Sequence, residues 1–208
     1  MRVFGLDTTR KSAKIFINDD EKNIDYTLTM DEKVKHSEGL FLYIEKALFE
    51  TGFEIGDFDY LACVVGPGSF TGIRVGMSTI KGFNKAKNKK IVPINTFEIL
   101  ASTCKNSVVL LNSTNTSCYY AKIKNKSIVE TGVVNKTDIV DKFQGFEFVL
   151  LKEEQNLIGV EYNNTRIIDD LSVHYMPAVS SKVAAGIEEV FVPYYLQLSQ
   201  AERNLKNE

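Results

Sequence analysis

The stretch Gly66-Pro67-Gly68-Ser69-Phe70-Thr71-Gly72 decides the fold of this chain. It follows an apolar run at 60–65, which is typical of a buried strand. It precedes a segment with apolar residues at helical spacing, namely Ile73, Met77, Ile80 and Phe83. The glycines of the turn can adopt backbone angles closed to other residues, and Ser69 or Thr71 can cap the following helix. The sequence therefore predicts a strand, a tight turn and a helix.

Two further glycines lie inside that predicted helix. Gly72 and Gly76 are four residues apart, so they share one face of the helix with Thr79. Each glycine costs a helix about 1 kcal/mol relative to alanine, and something must offset that cost. We expect another backbone to approach this face closely. A neighbouring helix, another subunit or a ligand would each satisfy the pattern.

The rest of the first half predicts a mixed α/β order, β-β-β-α-β-α-β-α. The expected strands are 2–6, 12–18, 24–30, 60–65 and 91–94, and the expected helices are 34–49, 71–87 and 96–103. Gly52 is a natural C-cap for the first of these helices.

The second half repeats this order weakly and then loses it. Its expected strands are 107–111, 119–123, 128–134, 146–151 and a closing strand 191–198, with helices at 136–143 and 180–190. Residues 156–172 are polar and receive no assignment, and the chain beyond Ser199 is polar.

Composition places the chain among ordinary globular proteins and excludes several classes. It has 208 residues, 44% apolar and 25% charged, enough for one large domain or two small lobes. A net charge of −2 argues against tight RNA binding by this chain alone. Three widely spaced cysteines without a C-x-x-C pair predict reduced, structural thiols. With no 18-residue apolar run and a strand at the N-terminus, we expect no membrane span, no signal peptide and a cytoplasmic location.

Two polar stretches are candidates for phosphate binding. Asp7-Thr8-Thr9 ends the first strand and can hold a phosphate or a metal-bound water, or can simply begin a hairpin. The Gly66–Gly72 turn leads into a helix N-terminus, which favours an anion. It has neither the Walker lysine nor G-x-G-x-x-G spacing. Phe70, not a serine, stands at the centre of its last five residues, so there is no nucleophile elbow.

The remaining charged and metal-binding residue types give weaker signals. His36 and His174 are the only histidines, and no His-x-x-x-His pair exists, so the sequence predicts no metal site. Five lysines crowd the end of the predicted helix 71–87 and the residues just after it, namely Lys81, Lys85, Lys87, Lys89 and Lys90. They indicate either a solvated helix end or a basic patch that contacts RNA within a larger complex.

Several of these motifs together resemble one family. They are Leu6-Asp7-Thr8-Thr9, His36-Ser37-Glu38-Gly39-Leu40, Gly66 through Gly76, Val92-Pro93-Ile94-Asn95-Thr96-Phe97-Glu98 and Val192-Pro193-Tyr194-Tyr195-Leu196. The set is similar to the TsaB (YeaZ) family of bacterial tRNA threonylcarbamoyladenosine biosynthesis proteins. The resemblance is good over 1–104 and poor beyond it.

The resemblance implies an α/β, actin-like (ASKHA, ribonuclease H-like) duplicated fold of two lobes, 1–104 and a reduced lobe 105–208. It implies a non-catalytic pseudo-enzyme subunit that binds a TsaD-like transferase. That transferase forms N6-threonylcarbamoyladenosine in tRNAs that read codons beginning with A. It carries a metal-binding His-x-x-x-His pair, and this chain has Thr96 and Leu100 at the corresponding positions.

The resemblance also implies partners. It implies a heterodimer with the TsaD-like protein, a TsaE-like ATPase in the larger complex, indirect contact with tRNA and a homodimer when the chain is alone. It implies no intrinsic cofactor, with ATP or ADP bound only at the complex interface. Three departures weaken nucleotide binding by this chain: Leu111-Asn112-Ser113-Thr114-Asn115 has no acid or arginine, Gln197 replaces an arginine, and no Gly-Gly adenosine turn is present.

The sequence thus predicts two sets of site residues. Helices 34–49 and 71–87 would present an interface of His36, Leu40, Gly72, Gly76, Met77, Thr79 and Ile80. Possible phosphate contacts are Asp7, Thr8, Thr9, Gly66, Gly68 and Ser69. The alternative function is an actin-like ATPase or small-molecule kinase that uses Asp7 and the Gly66–Gly72 turn. A peptidase ranks last, because neither a metal pair nor a nucleophile elbow is present.

Overall fold

The computed structural model describes residues 1–158, 164–187 and 190–197. The chain forms two compact units, which we call the first and second lobes. The first lobe comprises Met1–Thr96 and Tyr175–Tyr194, and the second comprises Phe97–His174 and the chain from Tyr195. The predicted division, 1–104 and 105–208, makes each lobe one continuous stretch. In the structure the first lobe is discontinuous, because the chain leaves it after Thr96 and returns at Tyr175.

The first lobe is built on a five-stranded mixed sheet. Its strands are β1 (Arg2–Asp7), β2 (Lys14–Asp19), β3 (Ile24–Thr29), β4 (Tyr60–Val64) and β5 (Lys90–Ile94). Their spatial order is β3-β2-β1-β4-β5. The first three form an antiparallel meander, with Phe4 opposite Ile17, while β4 and β5 run parallel to β1, with Phe4 opposite Leu61. The central strands β1 and β4 are almost entirely buried, as the apolar run at 60–65 predicted.

Two long helices follow from the predicted pattern. Helix α1 (His36–Thr51) buries Leu40, Ile44 and Ala47, and Gly52 ends it in the left-handed conformation at φ 70°. Helix α2 (Phe70–Lys87) begins at Ser69, whose side chain accepts a hydrogen bond from the Gly72 N–H. The predicted cap residues of both helices are therefore confirmed. The short helix α3 (Thr96–Ala101) follows β5.

The second lobe repeats the same sheet. Its strands are β6 (Asn106–Asn112), β7 (Ser117–Lys124), β8 (Ser127–Asn135), β9 (Glu147–Leu151) and β10 (Thr165–Ile168), in the order β10-β9-β6-β7-β8. Strands β6 to β8 form an antiparallel meander, and β9 and β10 run parallel to β6. The helices between them, α4 (Ile139–Lys142) and α5 (Gln155–Ile158), have four residues each. The predicted duplicated α/β fold with a reduced second lobe is confirmed.

Three assignments near the end of the chain differ from the structure. Strand β10 lies in the stretch 156–172, which received no assignment. The helix predicted at 180–190 is α6 (Ser172–Ala184), which begins eight residues earlier, with Pro177 inside it. The predicted closing strand is wrong for 191–197, where the chain has no strand, and its last residue lies outside the described residues.

Burial and helix length settle two smaller points. All three cysteines are buried and carry free thiols. Burial raises the pKa of the Cys118 thiol to about 11, and the Glu154 carboxylate adds to that rise while Lys136 opposes it. In the part of the chain that the structure describes, every helix is too short or too polar to cross a membrane.

Candidate functional site

The hairpin turn Asp7-Thr8-Thr9 packs against the glycine turn and α2 within the first lobe. A Cβ atom built on Gly68, Gly72 or Gly76 would come closer than 3.0 Å to atoms of Thr8 or Thr9. At Gly68 and Gly72 the obstructing atoms include backbone carbonyl oxygens, which cannot rotate away. The close backbone approach predicted from these glycines therefore exists, and it is made within the first lobe.

Hydrogen bonds fasten the two turns together. The Thr8 hydroxyl donates to the Gly72 carbonyl at 2.6 Å, and the Ser69 N–H donates to the Thr9 carbonyl at 2.9 Å. The Gly72 N–H donates to the Ser69 hydroxyl at 3.1 Å. Two of the amides at the start of α2 that could hold a phosphate, those of Ser69 and Gly72, are thus engaged by the chain itself.

The Asp7 carboxylate is enclosed and accepts three hydrogen bonds. Its Oδ1 accepts from the Thr9 N–H at 2.9 Å and from the Thr9 hydroxyl at 2.7 Å. Its Oδ2 accepts from the Tyr175 hydroxyl at 2.8 Å. Tyr175 has no exposed surface and stacks on Phe16, with ring centroids 4.5 Å apart. Sequence reasoning missed Tyr175, because 168 positions separate it from Asp7 and nothing local marks it.

Electrostatics around this carboxylate reflect a dry environment. Burial raises the pKa of the neighbouring Cys63 thiol above its ordinary value, and the charge of Asp7 adds to the rise. Asp7 itself is only 1% exposed. A carboxylate in such surroundings is stable only while its hydrogen-bond donors stay in place.

The other side of the glycine turn is covered too. Gly66 has φ +119°, and a Cβ atom there would lie 2.8 Å from the carbonyl oxygen of Tyr194. The Tyr194 N–H donates to the Val65 carbonyl at 2.8 Å. The Thr96 N–H donates to the Gly66 carbonyl at 2.8 Å, and the Thr96 hydroxyl donates to Pro67 at 3.3 Å. The turn therefore lies between the hairpin and the returning end of the chain.

The residues predicted to contact phosphate lie close together, and they form hydrogen bonds with one another. The structure places Asp7, Thr8, Thr9, Gly66, Gly68 and Ser69 in one cluster joined by backbone and side-chain hydrogen bonds. Of these residues, Ser69 is exposed and Gly68 is half-buried, whereas the others are buried. Phosphate contact by these residues stays a prediction, and the observed hydrogen bonds match the simpler interpretation of a hairpin turn.

Most of the predicted interface residues are covered by their own lobe. The buried members are Leu40, Gly72, Gly76, Met77, Thr79 and Ile80. His36 opens α1, and its Nε2 donates to the Lys11 carbonyl at 2.9 Å. The Thr79 hydroxyl donates to the Val75 carbonyl at 3.0 Å. A role of these seven residues in partner binding stays a prediction. Six of them are buried within the first lobe.

An exposed apolar surface on α1 was not singled out from the sequence. Phe41, Leu42 and Phe49, which we call the α1 apolar face, are 60%, 67% and 87% exposed. Phe41 also packs edge-on against Phe83 of α2, with ring centroids 6.4 Å apart. The signal was present: three consecutive apolar residues, 40–42, cannot all face the core of one helix. Exposed aromatic residues of this size mark interaction surfaces.

The resemblance described above sets Thr96 and Leu100 at the positions expected for a histidine pair. Thr96 and Leu100 are both fully buried, and Thr96 holds the glycine turn, as described above. Across the described ranges, no group of three His, Cys, Asp or Glu side chains is arranged to hold a metal ion. Burial and the Arg166 charge lower the pKa of His174, while Asp170 opposes that change.

The second lobe has a hairpin turn at the corresponding place. Asn112 ends β6 as Asp7 ends β1, and two hydroxyl residues, Ser113 and Thr114, follow it. Here the carboxylate comes from elsewhere: Glu154, which is buried, accepts the Asn112 N–H at 2.8 Å. The Ser113 hydroxyl donates to the Gln197 side chain at 3.0 Å. Two residues that depart from the family pattern, Ser113 and Gln197, thus contact one another.

Comparisons with known proteins agree with one another. A family model described as TsaD, tRNA N6-adenosine threonylcarbamoyltransferase, matches residues 32–203. The tRNA threonylcarbamoyladenosine biosynthesis protein TsaB of Buchnera aphidicola subsp. Schizaphis graminum is 25% identical over 166 residues, 76% of this chain and 77% of the relative. The tRNA N6-adenosine threonylcarbamoyltransferase of Agrobacterium fabrum is 37% identical over 70 residues, 34% of this chain and 19% of the relative.

A solved structure extends the likeness to the fold. A Pseudomonas aeruginosa protein, described as similar to peptidase YEAZ, superposes with a TM-score of 0.73. The superposition covers 94% of this chain and 99% of that protein, at 15% sequence identity. At that identity the likeness concerns the fold alone.

Proposed function

The chain belongs to the TsaB (YeaZ) group of the TsaD family, whose members are named for threonylcarbamoyladenosine biosynthesis in tRNA, and on that premise we propose that it is a non-catalytic subunit. It binds a TsaD-like transferase and supports that enzyme in forming N6-threonylcarbamoyladenosine. The tRNAs modified are those that read codons beginning with A. The chain supplies a surface for the partner and no reacting group.

The observation that carries the proposal is the self-filled turn of the first lobe. An actin-like ATPase needs a carboxylate and amides that are open to a nucleotide and its metal ion. In this chain Thr9 and Tyr175 occupy both oxygens of Asp7. Thr8 and Thr9 fill the space above the glycines. These contacts support a non-catalytic role, because the residues that would bind phosphate are used for packing within the first lobe. Any ATP or ADP would bind only at the interface with the partner.

The α1 apolar face supports the proposed partner binding. Phe41, Leu42 and Phe49 are solvent-exposed in the free chain, and burying an aromatic side chain of this size is strongly favourable. Leu42 and Phe49 are seven residues apart, so they lie on the same side of α1. The same surface would pair two copies of the chain when the transferase is absent, because a twofold contact reuses one patch. A TsaE-like ATPase would join the larger complex.

Binding to the partner is the first test. We expect the chain and the TsaD-like protein of its own organism to form a one-to-one complex in size-exclusion chromatography with light scattering. Phe49→Ser should weaken that complex by about 30-fold or more, as loss of an interface anchor costs about 2 kcal/mol. Val173→Ser is the matched control, since Val173 is 70% exposed on α6. A wild-type chain that ignores the transferase would overturn the proposal.

ATP turnover separates the proposal from its alternative. We expect the chain alone to hydrolyse no ATP above a buffer blank, because both oxygens of its Asp7 carboxylate already accept hydrogen bonds within the first lobe. Threonylcarbamoyl transfer by the transferase should rise when the chain is added. Robust turnover by the isolated chain, lost in Asp7→Asn, would instead establish the actin-like ATPase or kinase.

A further inference from the structure

The lysine cluster at the end of α2 stands out from the charge pattern of the whole chain. Residues 60–97 contain no aspartate or glutamate, although the chain as a whole has a net charge of −2. That stretch carries six basic residues, five of them between positions 81 and 90. Charge of one sign is therefore concentrated in one part of the first lobe. We call Lys81, Lys85, Lys87, Lys89 and Lys90 the α2 lysine cluster.

These lysines make no ion pair within the described ranges, unlike those of the neighbouring helix. On α1 and at its start, Lys46 pairs with Glu50, and Lys35 pairs with Glu38. Of the five cluster lysines, four are exposed and Lys89 is half-buried. Lys81 lies over the ring of Phe191 at 5.5 Å, a contact that keeps its charge. The positive charge of the cluster is thus left to solvent.

Two acidic residues just before β4 accept hydrogen bonds from backbone amides. The Asp57 carboxylate accepts the Glu54 N–H at 2.7 Å, and the Asp59 carboxylate accepts the Arg2 N–H at 2.8 Å. The side chain of Lys87 passes close to Gly56, the residue before Asp57, and it forms no ion pair with Asp57 or Asp59.

The dipole of α2 accounts for only part of the pattern. Lysines in the last turn complement the negative end of a helix, and Lys85 and Lys87 stand there. Lys81 lies more than a turn before the end. Lys89 and Lys90 follow the helix, after Asn88 in the left-handed conformation. A dipole effect fades within one turn, so it gives no reason for these three.

We propose that the α2 lysine cluster binds the phosphodiester backbone of the tRNA on which the complex acts. This rests on the proposed function, which brings an RNA to the partner. Clustered lysines without ion-pair partners suit backbone phosphates, which are recognised by charge and not by sequence. The net negative charge of the chain makes the contact weak alone and useful only beside the partner's own RNA contacts.

The experiment measures binding of a fluorescent tRNA transcript to the complex of this chain and its TsaD-like partner, over a range of salt concentrations. The test variant is Lys85→Ala/Lys87→Ala/Lys90→Ala, which removes three exposed charges. The matched control, Lys11→Ala/Lys105→Ala/Lys124→Ala, removes three exposed lysines elsewhere. Circular dichroism and chromatography verify that both variants fold and still bind the partner.

We expect the test variant to bind tRNA between about tenfold and hundredfold more weakly than wild type, and the slope of log affinity against log salt to fall by about two to three. The control should stay within about threefold of wild type. Equal effects of the two triples, or no effect, would overturn the proposal. Loss of partner binding with tRNA affinity retained would assign the cluster to an acidic protein surface instead. If the wild-type complex fails to form, the proposed function fails and the lysine proposal fails with it, whereas a complex that forms and binds tRNA equally well with and without the three lysines overturns the lysine proposal alone.

Discussion

Each lobe has its own five-stranded sheet, and the two sheets have the same topology. The lobes differ in the helices that connect the strands. Both sheets place a three-stranded meander beside two parallel strands, in the same spatial order. In the first lobe the connections are α1 and α2, of 16 and 18 residues. In the second they are α4 and α5, of four residues each. A lobe of this topology therefore forms with long or with short helices, and the α1 apolar face lies on one of the long helices of the first lobe.

The hairpin turns sharpen the contrast. In the first lobe the last residue of the strand, Asp7, supplies the carboxylate that holds its own turn and Tyr175. In the second lobe the equivalent residue, Asn112, is held through its N–H by Glu154. A carboxylate is present at both turns, but it comes from different positions in the sequence. The chemistry of the turn is conserved between lobes even though the residue is not.

The largest effect is expected at the glycine face of α2, which has no counterpart in the second lobe. Gly72→Ala forces a Cβ atom into the Thr8 carbonyl, and it should lower the free energy of unfolding by about 3 kcal/mol or more. Gly82→Ala, on the same helix with nothing within 4 Å, should raise it by about 0.5–1 kcal/mol. Urea denaturation measures both. Similar values for the two variants would mean that the hairpin does not pack as described.

The hairpin carboxylates give the second comparison. Asp7→Ala removes the carboxylate that accepts from the buried Tyr175 and Thr9 hydroxyls, so we expect a loss of about 3 kcal/mol in the free energy of unfolding. Asn112→Ala removes a side-chain oxygen that is buried without a hydrogen bond, and it should cost less than about 1 kcal/mol. Equal losses would show that the two turns are held alike.

Cysteine labelling reports which lobe opens first. Cys63 lies in the first lobe and Cys104 and Cys118 in the second, and all three are fully buried. The second lobe has the smaller buried core and the shorter helices, so we expect its thiols to be modified at lower urea concentration. A difference of about 1 kcal/mol would make labelling about fivefold faster. Mass spectrometry of the labelled peptides measures it, and simultaneous labelling would contradict two separable lobes.

The smallest effect is a pH dependence in the second lobe. Burial and Arg166 lower the pKa of His174 below its ordinary value of 6.5. The unfolded chain therefore binds more protons than the folded chain in this range, and stability should fall as the pH drops below about 6.5. His174→Gln should flatten that part of the curve. Unfolding midpoints between pH 7.5 and pH 5.5 measure the difference, and an unchanged slope in the variant would contradict it.

The share of the strands and helices that the sequence predicts also differs between the lobes. Strands β1 to β6 and both long helices have strong periodicity, and their positions were predicted to within two residues at most ends. Strand β10 was missed because its four residues are only half-buried and lie in a polar stretch. Helix α6 was placed too late because Pro177 lies inside it, and a proline in a helix costs about 3 kcal/mol in isolation. The burial of Tyr175, Ala178 and Val179 outweighs that preference.

The sequence predicts only part of the candidate site, because many of its contacts join distant parts of the chain. The glycines predict that another backbone approaches α2 closely. They do not identify Thr8 and Thr9 as that backbone, because the contact joins residues about sixty positions apart. Tyr175 is further still. Contacts of this kind depend on the finished fold and leave no local pattern.

The discontinuity of the first lobe has a consequence for protein synthesis. Asp7 leaves the ribosome long before Tyr175, its hydrogen-bond partner 168 positions later. At about 5–20 residues per second, the hairpin waits roughly 8–34 seconds for the residue that completes it. The sheet of the second lobe is encoded almost continuously and is complete before the first lobe can close. The lobe made first is thus the last to be finished, and a nascent chain stalled before Tyr175 would present an incomplete first lobe to chaperones and proteases.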